Sequence, residues 1–139
     1  MIDVQIIRDL PFNAQAVWKI LSNYGDISWT GAPKVEVDGS GIGMIRKVIM
    51  EGMAPIEEVL ESMDHQAMTY SYTIPRGLPM PVSNYRADVR VESVNDTACR
   101  VHWHSTAQPN EGSGSDGQAM LEAAYENMLD GLAKRVAAA

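Results

Sequence analysis

Residues 83–94 carry the sequence feature that most constrains the fold. Apolar and charged side chains alternate there through Tyr85, Arg86, Ala87, Asp88, Val89, Arg90, Val91 and Glu92. Because successive side chains of a β-strand point to opposite faces, this alternation predicts a long strand with one buried face and one face in water. A sheet built from such strands needs a second layer to cover its apolar side.

Six strands are predicted between Lys34 and Gln108. Turn-forming sequences separate them, namely DGSGIG, EGM, DHQ, PRGLPMPV and NDT. Short connections of this kind join antiparallel neighbours. Together with a further strand at 2–10, the strands are expected at 34–38, 43–50, 54–63, 67–74, 83–94 and 98–107.

Helical patterns flank the run of strands. Asn13 is a suitable N-cap for a helix that ends near Gly25, and DISWTGAP is expected to add one more helical turn. After a Gly/Ser loop at 109–117, a helix of about 19 residues, or about 28 Å, is expected at 118–136. Its apolar stripe consists of Leu121, Ala124, Tyr125, Met128, Leu132 and Val136. This order predicts an α+β protein in which the terminal helix covers a curled sheet and leaves a hollow beneath it.

Composition limits the range of partners. The chain has 139 residues, 45% of them hydrophobic, which fits one domain over 1–139. Its net charge of -7 repels phosphate backbones and anionic membranes, so we expect no nucleic-acid partner. Cys99 is the only cysteine, which excludes an internal disulfide and a cysteine-based zinc site. We see no secretory signal and no membrane-spanning stretch of about 18 apolar residues, so we expect no stable membrane insertion and a cytoplasmic location.

Hairpin geometry predicts which side chains lie opposite each other. A turn centred on Gly52 places Arg46 opposite Glu58, and it also pairs Lys47 with Glu57 and Val48 with Ile56. A turn centred on His65 pairs Glu58 with Tyr72 and Leu60 with Tyr70; continuing across the next loop pairs Tyr72 with Tyr85 and Tyr70 with Ala87. A turn centred on Asp96 predicts four further pairs, which are Glu92–Arg100, Asp88–His104, Val91–Val101 and Val89–Trp103. These registers predict a polar row across the inner face, made of Arg46, Glu58, Tyr72 and Tyr85.

Five stretches of the chain, taken in order, resemble one superfamily. They are VWKILSNYGDISWTGAP, GSGIGMIRKV, IEEVLESMD, YSYTIPRGLPMPVSNYRADVRVE and VHWHSTAQP. The sequence resembles the START-like, or SRPBCC, superfamily, and within it the small bacterial polyketide cyclase/dehydrase and lipid-transport group. The resemblance implies a helix-grip fold: a seven-stranded antiparallel sheet curled around a long C-terminal helix, with short helices between strands 1 and 2, and a hydrophobic cavity inside.

The plant abscisic acid receptors, which are more distant members, imply two site residues. Their pattern E-x-L-x-x-x-D carries a pocket glutamate, which Glu58 matches together with Leu60 and Asp64. Their N-Y carries a pocket tyrosine, which Asn84 and Tyr85 match. However, EGMAP lacks the receptors' gate sequence Ser-Gly-Leu-Pro, PMPV lacks their latch histidine and arginine, and their pocket lysine has no secure counterpart. The resemblance therefore implies the cavity and not a hormone-receptor role.

The sequence gives weaker indications of a metal site, a phosphate-binding loop or a catalytic nucleophile. His102 and His104 have a spacing that can place two imidazoles on one metal ion, with Asp88 as the nearest third ligand. The predicted register puts both histidines on the wet face beside acids, so we expect an exposed pair and no metal. GSGIG lies between strands and predicts a turn rather than a phosphate-binding loop. No Ser or Cys lies in a nucleophile elbow, and we expect no cofactor.

These features lead us to expect binding or carriage of a small hydrophobic ligand, which could be a lipid, an aromatic or a polyketide-like compound. The polar row would orient the polar end of the ligand, and the loops PRGLPMP and EGMAP would form the rim. The apolar wall is expected to consist of Tyr70, Trp103, Tyr125, Met128 and Leu132. Two alternatives stay open. One is a polyketide cyclase/dehydratase-type enzyme with Tyr72 or Tyr85 as a proton donor; the other is a protein-interaction module or homodimer with a filled interior.

Overall fold

Seven strands form one antiparallel sheet in the order β1-β7-β6-β5-β4-β3-β2. The computed structural model describes residues 1–32, 34–113 and 116–139. The N-terminal strand β1 closes the sheet against β7, while every other pair joins strands that follow each other in the chain. The strands are β1 Ile2–Leu10, β2 Lys34–Asp38, β3 Ile45–Ile49, β4 Ile56–Asp64, β5 Thr69–Arg76, β6 Val82–Asn95 and β7 Ala98–Pro109. All seven predicted strands are present, and some of their ends are shifted by one or two residues.

A short α-helix and a 3-10 turn lie between β1 and β2, as predicted. The helix α1 spans Ala14–Leu21, and the 3-10 turn spans Ser28–Thr30. Asn13 caps α1, because its Oδ1 accepts hydrogen bonds from the backbone N–H groups of Gln15 at 2.9 Å and Ala16 at 3.4 Å. The prediction that the helix ends near Gly25 was wrong: the chain leaves the helix after Leu21.

The long helix α2, Asp116–Ala138, packs against β1 and the 3-10 turn. Gly131 allows this close contact, because a Cβ at that position would lie only 2.2 Å from the carbonyl oxygen of Trp29. At the surface, Arg8 of β1 donates to Asp130 of α2 at 2.8 Å. These contacts lay the helix along the sheet and confirm the helix-grip architecture. No helix in the described ranges is long and apolar enough to cross a membrane.

The stripe on α2 differs from the prediction at Ala124 and Met128, which are only half-buried, and at Leu129, which was not predicted. Leu129 is fully buried, whereas Met128 is half-buried. The buried residues of the helix are Gly117, Leu121, Tyr125, Leu129, Leu132 and Val136. The predicted loop at 109–117 includes Gly114 and Ser115, and the segment DISWTGAP ends at Pro33; these three residues lie outside the described part of the chain.

The hairpins β3–β4 and β6–β7 have the predicted registers. Arg46 lies opposite Glu58, and both neighbouring pairs of β3 and β4 are confirmed. All four predicted pairs of β6 and β7 are also confirmed, including Val89 opposite Trp103. In both hairpins, the strand pattern and the turn agree on a single alignment.

The predicted registers of β4 with β5 and of β5 with β6 were wrong. Irregularities between Glu57 and Val59 and between Leu60 and Ser62 shift the β4 pairing. Leu60 therefore lies opposite Tyr72 instead of Tyr70, and Glu58 is not paired with Tyr72. Bulges insert residues that alternation alone does not reveal.

The pairing of β5 with β6 is also displaced. Tyr72 lies opposite Ala87 instead of Tyr85, and Tyr70 lies opposite Val89 instead of Ala87. A second irregularity, between Ser83 and Arg86, separates Tyr85 from the regular ladder of β6 and β7. The predicted polar row is therefore not a straight line of paired residues across four strands.

Candidate functional site

A buried ion pair occupies the inner face of β3 and β4. Arg46 is 2% exposed, and its Nε donates to Oε1 of Glu58 at 2.5 Å. The Glu58 side chain is 14% exposed, so it lies at the edge of the interior. Burial acts to lower the pKa of Arg46, but the Glu58 carboxylate opposes this and holds that pKa above its usual value. The guanidinium therefore stays charged and is neutralised locally by Glu58.

Tyr24 completes the surroundings of Arg46. The backbone carbonyl of Tyr24 accepts a hydrogen bond from Nη1 of Arg46 at 2.9 Å. Cζ of Arg46 also lies 3.9 Å from the centroid of the Tyr24 ring and 5.1 Å from that of Tyr72, which fits cation–π contact. The chain after α1 thus brings a backbone acceptor and an aromatic face to the buried cation.

Three tyrosine hydroxyls from three elements form a chain beside the ion pair. Tyr72 of β5 and Tyr85 of β6 have their hydroxyl oxygens 3.4 Å apart, and Tyr85 hydrogen-bonds the hydroxyl of Tyr125 on α2. Burial raises the pKa of Tyr125 to about 12 and the pKa values of Tyr72 and Tyr85 well above the ordinary value. These hydroxyls therefore stay protonated and can donate hydrogen bonds at neutral pH.

Asn84 sets the direction of Tyr85. Asn84 adopts a φ of +52°, in the left-handed region, at the irregularity between Ser83 and Arg86. Its Nδ2 donates to Oε1 of Gln108 at 2.8 Å. This local change in the backbone of β6 directs the Tyr85 side chain into the interior, although Tyr85 has no paired residue on β7. The N-Y motif therefore has a backbone reason for its asparagine.

Trp103 is the centre of an aromatic cluster. It is fully buried, and its ring centroid lies 5.8 Å from that of Tyr125, 6.4 Å from Trp29 and 6.5 Å from both Tyr70 and Tyr72. Tyr70 and Tyr72 stack on each other with centroids 6.0 Å apart. These rings lie against one another beneath α2, so the interior is lined and largely occupied by aromatic side chains.

Several polar atoms of this cluster are buried without a hydrogen-bond partner among the described residues. They are the hydroxyl of Tyr24 and the indole nitrogens of Trp29 and Trp103, whereas the Tyr70 hydroxyl lies beside the Arg46 guanidinium and the Ser105 hydroxyl beside that of Tyr125. Unpaired buried polar groups are rare in folded proteins, because each has lost its water without gaining a partner. Three such groups lie in this interior.

The structure gathers most of the predicted site residues but not in the predicted arrangement. The members of the expected polar row, Arg46, Glu58, Tyr72 and Tyr85, are neighbours through side-chain contacts rather than through strand pairing. Of the predicted wall residues, Tyr70, Trp103, Tyr125 and Leu132 are buried, whereas Met128 is only half-buried. Sequence reasoning missed Tyr24 and Trp29, which lie in a segment without periodicity.

The best-formed pockets open on the surface. One of about 480 Å³ lies on the outer face of the sheet, between Ser62, Asp88 and His104. Another of about 710 Å³ lies between Phe12, Ile20 and Val136. Neither these nor two further pockets of about 510 Å³ and 300 Å³ are lined by the central interior rings, Tyr72, Tyr85, Trp103 and Tyr125. The hollow predicted beneath α2 is therefore not among these pockets, and a ligand could enter the interior only if side chains or loops moved.

The two predicted rim loops contact each other. Gly77, in the loop between β5 and β6, has a φ of +86°, and a Cβ there would lie 2.0 Å from the carbonyl oxygen of Pro55. Pro55 belongs to the loop between β3 and β4. The two loops meet where β5 ends and β4 begins, and Pro55 precedes Glu58 of the ion pair by three positions in the chain.

The histidine pair lies on the outer face. His102 lies 2.8 Å from Glu92, and His104 lies 2.9 Å from Asp3, measured from Nε2 to a carboxylate oxygen. Asp88 is farther away, with its Oδ2 4.0 Å from Nδ1 of His104. Within the described ranges, no group of three His, Cys, Asp or Glu residues is arranged to hold a metal ion.

The curled sheet, the long helix and the aromatic interior define a helix-grip protein of the START-like, or SRPBCC, class. The chain belongs to the polyketide cyclase/dehydrase and lipid transport family, whose sequence model matches residues 1–137. None of the curated proteins matches the sequence significantly.

Solved structures share this fold at low sequence identity. XoxI from Bacillus cereus is 21% identical with a TM-score of 0.86, over 98% of this chain and 96% of that chain. A Thermobifida fusca protein is 21% identical with a TM-score of 0.87, over 98% of this chain and 93% of that chain. Norcoclaurine synthase from Thalictrum flavum, solved in complex with dopamine and hydroxybenzaldehyde, is 15% identical with a TM-score of 0.76, over 96% and 85%. These similarities establish the fold.

Proposed function

We propose that the protein binds a small hydrophobic molecule between the sheet and α2. The observation that carries this proposal is the polar cluster enclosed by aromatic rings, in which Arg46, Glu58, Tyr72 and Tyr85 lie together. A core that serves only stability gains little from buried ionic and hydroxyl groups, since burying them costs free energy that apolar side chains avoid. A binding site uses the same groups to orient a ligand.

The packing of α2 supports ligand entry on the half of the sheet away from β1. The helix rests mainly on β1 and the 3-10 turn, at one edge of the sheet. The rim loops around Pro55 and Gly77 belong to the other half. A ligand would enter by parting these loops and displacing the rings of Tyr72 and Tyr85. Tyr70, Trp103, Tyr125, Met128 and Leu132 would then contact its apolar part.

The similarity to other proteins agrees with this proposal. The family description includes lipid transport and cyclase or dehydrase chemistry. Norcoclaurine synthase, a protein of the same fold, has been solved with two small aromatic molecules, dopamine and hydroxybenzaldehyde. At 15% identity, that comparison supports a shared scaffold for small-molecule binding and transfers no residue role.

Native mass spectrometry and binding titrations test the proposal. We expect freshly purified protein to carry a small-molecule mass, or to bind 2-naphthol or dodecanoate saturably with a micromolar dissociation constant. Tyr72→Phe should change the affinity, because it deletes an interior hydroxyl and keeps the ring. His104→Gln, on the outer face, is the matched control and should bind as the unchanged protein does. No bound mass and no saturable binding of either probe would overturn the proposal.

Enzyme activity of the cyclase/dehydratase type is the second candidate, and the Tyr72–Tyr85–Tyr125 hydroxyl chain favours it. Because burial raises the pKa values of these tyrosines, they are suited to donating hydrogen bonds to a carbonyl oxygen and poorly suited to removing protons. With a candidate polyketide substrate, an enzyme should lose turnover in Tyr72→Phe or Glu58→Gln and still bind. A carrier shows weaker binding in the same variants and no turnover in any form.

A further inference from the structure

The strand β2 has one unpaired side, at the edge of the sheet. It pairs with β3 on its other side, and no further strand of the described ranges lies beyond it. Four of its five residues, Lys34–Asp38, are exposed. The backbone N–H and C=O groups along a free edge can pair with a strand of another chain. The edge of β2 is therefore open to such a partner.

The opposite edge of the sheet is protected by α2. This helix packs against β1, and Arg8 of β1 forms ion pairs with Glu126 at 3.4 Å and with Asp130 at 2.8 Å on the helix. A helix or charged side chains beside an edge strand hinder pairing with a second chain. The main packing partner of β2 within the described ranges is β3. Of the two edges, β2 is therefore the more accessible one.

Val35 and Val37 form the apolar face of β2. They lie opposite Val48 and Arg46 of β3, whose side chains are buried, so both valines point to the inner side of the sheet. Val37 is nevertheless 44% exposed, since β2 is the last strand of the sheet. A further strand with an apolar face on the same side would cover it.

The outer face of β2 has a self-complementary charge pattern. It carries Lys34 at one end, Glu36 in the middle and Asp38 at the other end. If two copies of β2 run antiparallel about a two-fold axis at Glu36, Lys34 of each copy lies opposite Asp38 of the other. The same alignment places Val35 opposite Val37 on the inner side. One register therefore satisfies both faces of the strand.

The charges at the axis are balanced. Glu36 of each copy would face that of the other, and Lys47 of β3 is its cross-strand neighbour in each chain. In the single chain, Lys34 lies 3.4 Å from Glu36, and Lys47 lies 2.8 Å from Asp38. Such pairs at the surface contribute little to stability, so they can rearrange. The two lysines offset the two acids of each copy, and the junction carries no net charge.

We propose that the free edge of β2 binds a second copy of this chain, which joins the two seven-stranded sheets into one across a two-fold axis at Glu36. Ile42, which is 61% exposed in the turn after β2, adds apolar surface near each end of the junction. Two five-residue strands form a contact smaller than the standard interface of about 1,600 Å². The dimer is therefore reversible, with a dissociation constant of about 10–100 μM, and it does not require a ligand.

Sedimentation equilibrium measures the association. We expect the average mass to rise from that of one chain at about 2 μM towards that of two chains at about 500 μM. Lys34→Asp places two carboxylates opposite each other at both ends of the junction, so it should weaken the dimer at least about tenfold. Lys19→Asp, which makes the same change of charge at an exposed position of α1, is the matched control and should leave the association unchanged. The mass of a single chain at every concentration would overturn the proposal.

A charge exchange tests the register. Lys34→Asp and Asp38→Lys each place like charges opposite each other in their own dimers, so each variant alone should associate at least about tenfold more weakly than the unchanged protein. Mixed in equal amounts, the two variants place every charge opposite its complement, and a mixed dimer should form with an affinity within about threefold of the unchanged protein. Both positions are exposed, so circular dichroism should show both variants folded. Association of either variant alone at full strength, or a mixture that does not associate, would contradict pairing through β2.

Discussion

The hydroxyl of Tyr125 on α2 hydrogen-bonds the hydroxyl of Tyr85 on β6 inside the protein. The bond joins the terminal helix to the middle of the sheet, since β6 lies between β5 and β7. Tyr85 continues the contact to Tyr72 of β5. The helix is therefore attached to the sheet at its centre by a polar contact, and at its edge by packing on β1 and the 3-10 turn.

Removing the Tyr125 hydroxyl should lower stability. Tyr125→Phe leaves Tyr85 with a weaker set of partners, so we expect the free energy of unfolding to fall by about 1 kcal/mol in urea denaturation. Tyr24→Phe is the matched control: the Tyr24 hydroxyl has no partner among the described residues, so its loss should be neutral or stabilising. A larger loss for Tyr24→Phe than for Tyr125→Phe would contradict the assigned hydrogen bond.

Breaking the ion pair should cost more than removing any surface charge. Glu58→Gln leaves Arg46 buried with an uncompensated charge, so we expect a loss of about 3–5 kcal/mol in the free energy of unfolding. The double variant Arg46→Met/Glu58→Leu should recover most of this loss, because it removes both charges.

The neighbouring residue of β4 supplies the control for that experiment. Among the described residues, Glu57 forms an ion pair with the exposed Arg76 at 3.4 Å, so Glu57→Gln should change stability by about 1 kcal/mol or less. Similar losses in Glu57→Gln and Glu58→Gln would show that the Arg46–Glu58 pair is not buried as described.

Alkaline conditions should unfold the protein and ionise its tyrosines together. Burial raises the pKa values of Tyr70 and Tyr125 to about 12, and those of Tyr24, Tyr72 and Tyr85 are also raised. In the unfolded chain, tyrosine ionises at about pH 10. The unfolded state therefore releases protons first, and the stability present below pH 10 is lost as the pH rises towards the folded-state pKa values.

Absorbance at 295 nm checks this, because it reports phenolate. All five tyrosines of the chain are buried, so phenolate absorbance should rise together with the loss of circular dichroism in a single transition. Tyr70→Phe, which keeps the ring, should reduce the amplitude by about one fifth, in line with one tyrosine of the five. Phenolate that appears near pH 10 while the protein is still folded would contradict the burial of these rings.

The left-handed backbone conformation at Asn84 should limit which residues position 84 tolerates without a loss of stability. Glycine adopts this conformation freely, so Asn84→Gly should leave stability within about 0.5 kcal/mol, whereas Asn84→Val should lower it by about 1–3 kcal/mol. Ser83→Val is the control, because Ser83 precedes the left-handed residue and lies exposed in the strand. Thermal unfolding gives the ranking, and equal losses at positions 83 and 84 would refute the backbone explanation.

Sequence reasoning reached the detailed structure in the hairpins β3–β4 and β6–β7. The turns around Gly52 and Asp96 connect strands directly, and charge pairs on the facing strands, such as Lys47–Glu57 and Glu92–Arg100, agree with one register. For that reason the sequence alone predicts the pairing of Arg46 with Glu58. Tyr72 and Tyr85 were also selected correctly as inward-facing residues, although their strand partners were wrong.

The burial of residues in irregular segments was not predicted. Tyr24 and Trp29 lie in the irregular stretch between α1 and β2, so no repeat indicates which way their side chains point. Their burial depends on Arg46, which bonds the Tyr24 carbonyl, and on Gly131, which lets α2 approach the Trp29 backbone. Both partners are distant in the chain. The same holds for the irregularities around Glu58 and Tyr85, which depend on how neighbouring strands fit together.

The sequence by itself determined the strands, the long helix and the α+β order. It did so through local patterns, such as the alternation over Tyr85–Glu92 and the apolar stripe from Leu121 to Val136, because these patterns arise from the period of each element. Only the tertiary structure decided which polar groups meet inside. The contacts of Arg46 with Tyr24 and of Tyr85 with Tyr125 join segments far apart in the chain. Such contacts depend on packing and on irregularities in several strands at once, which no local pattern encodes.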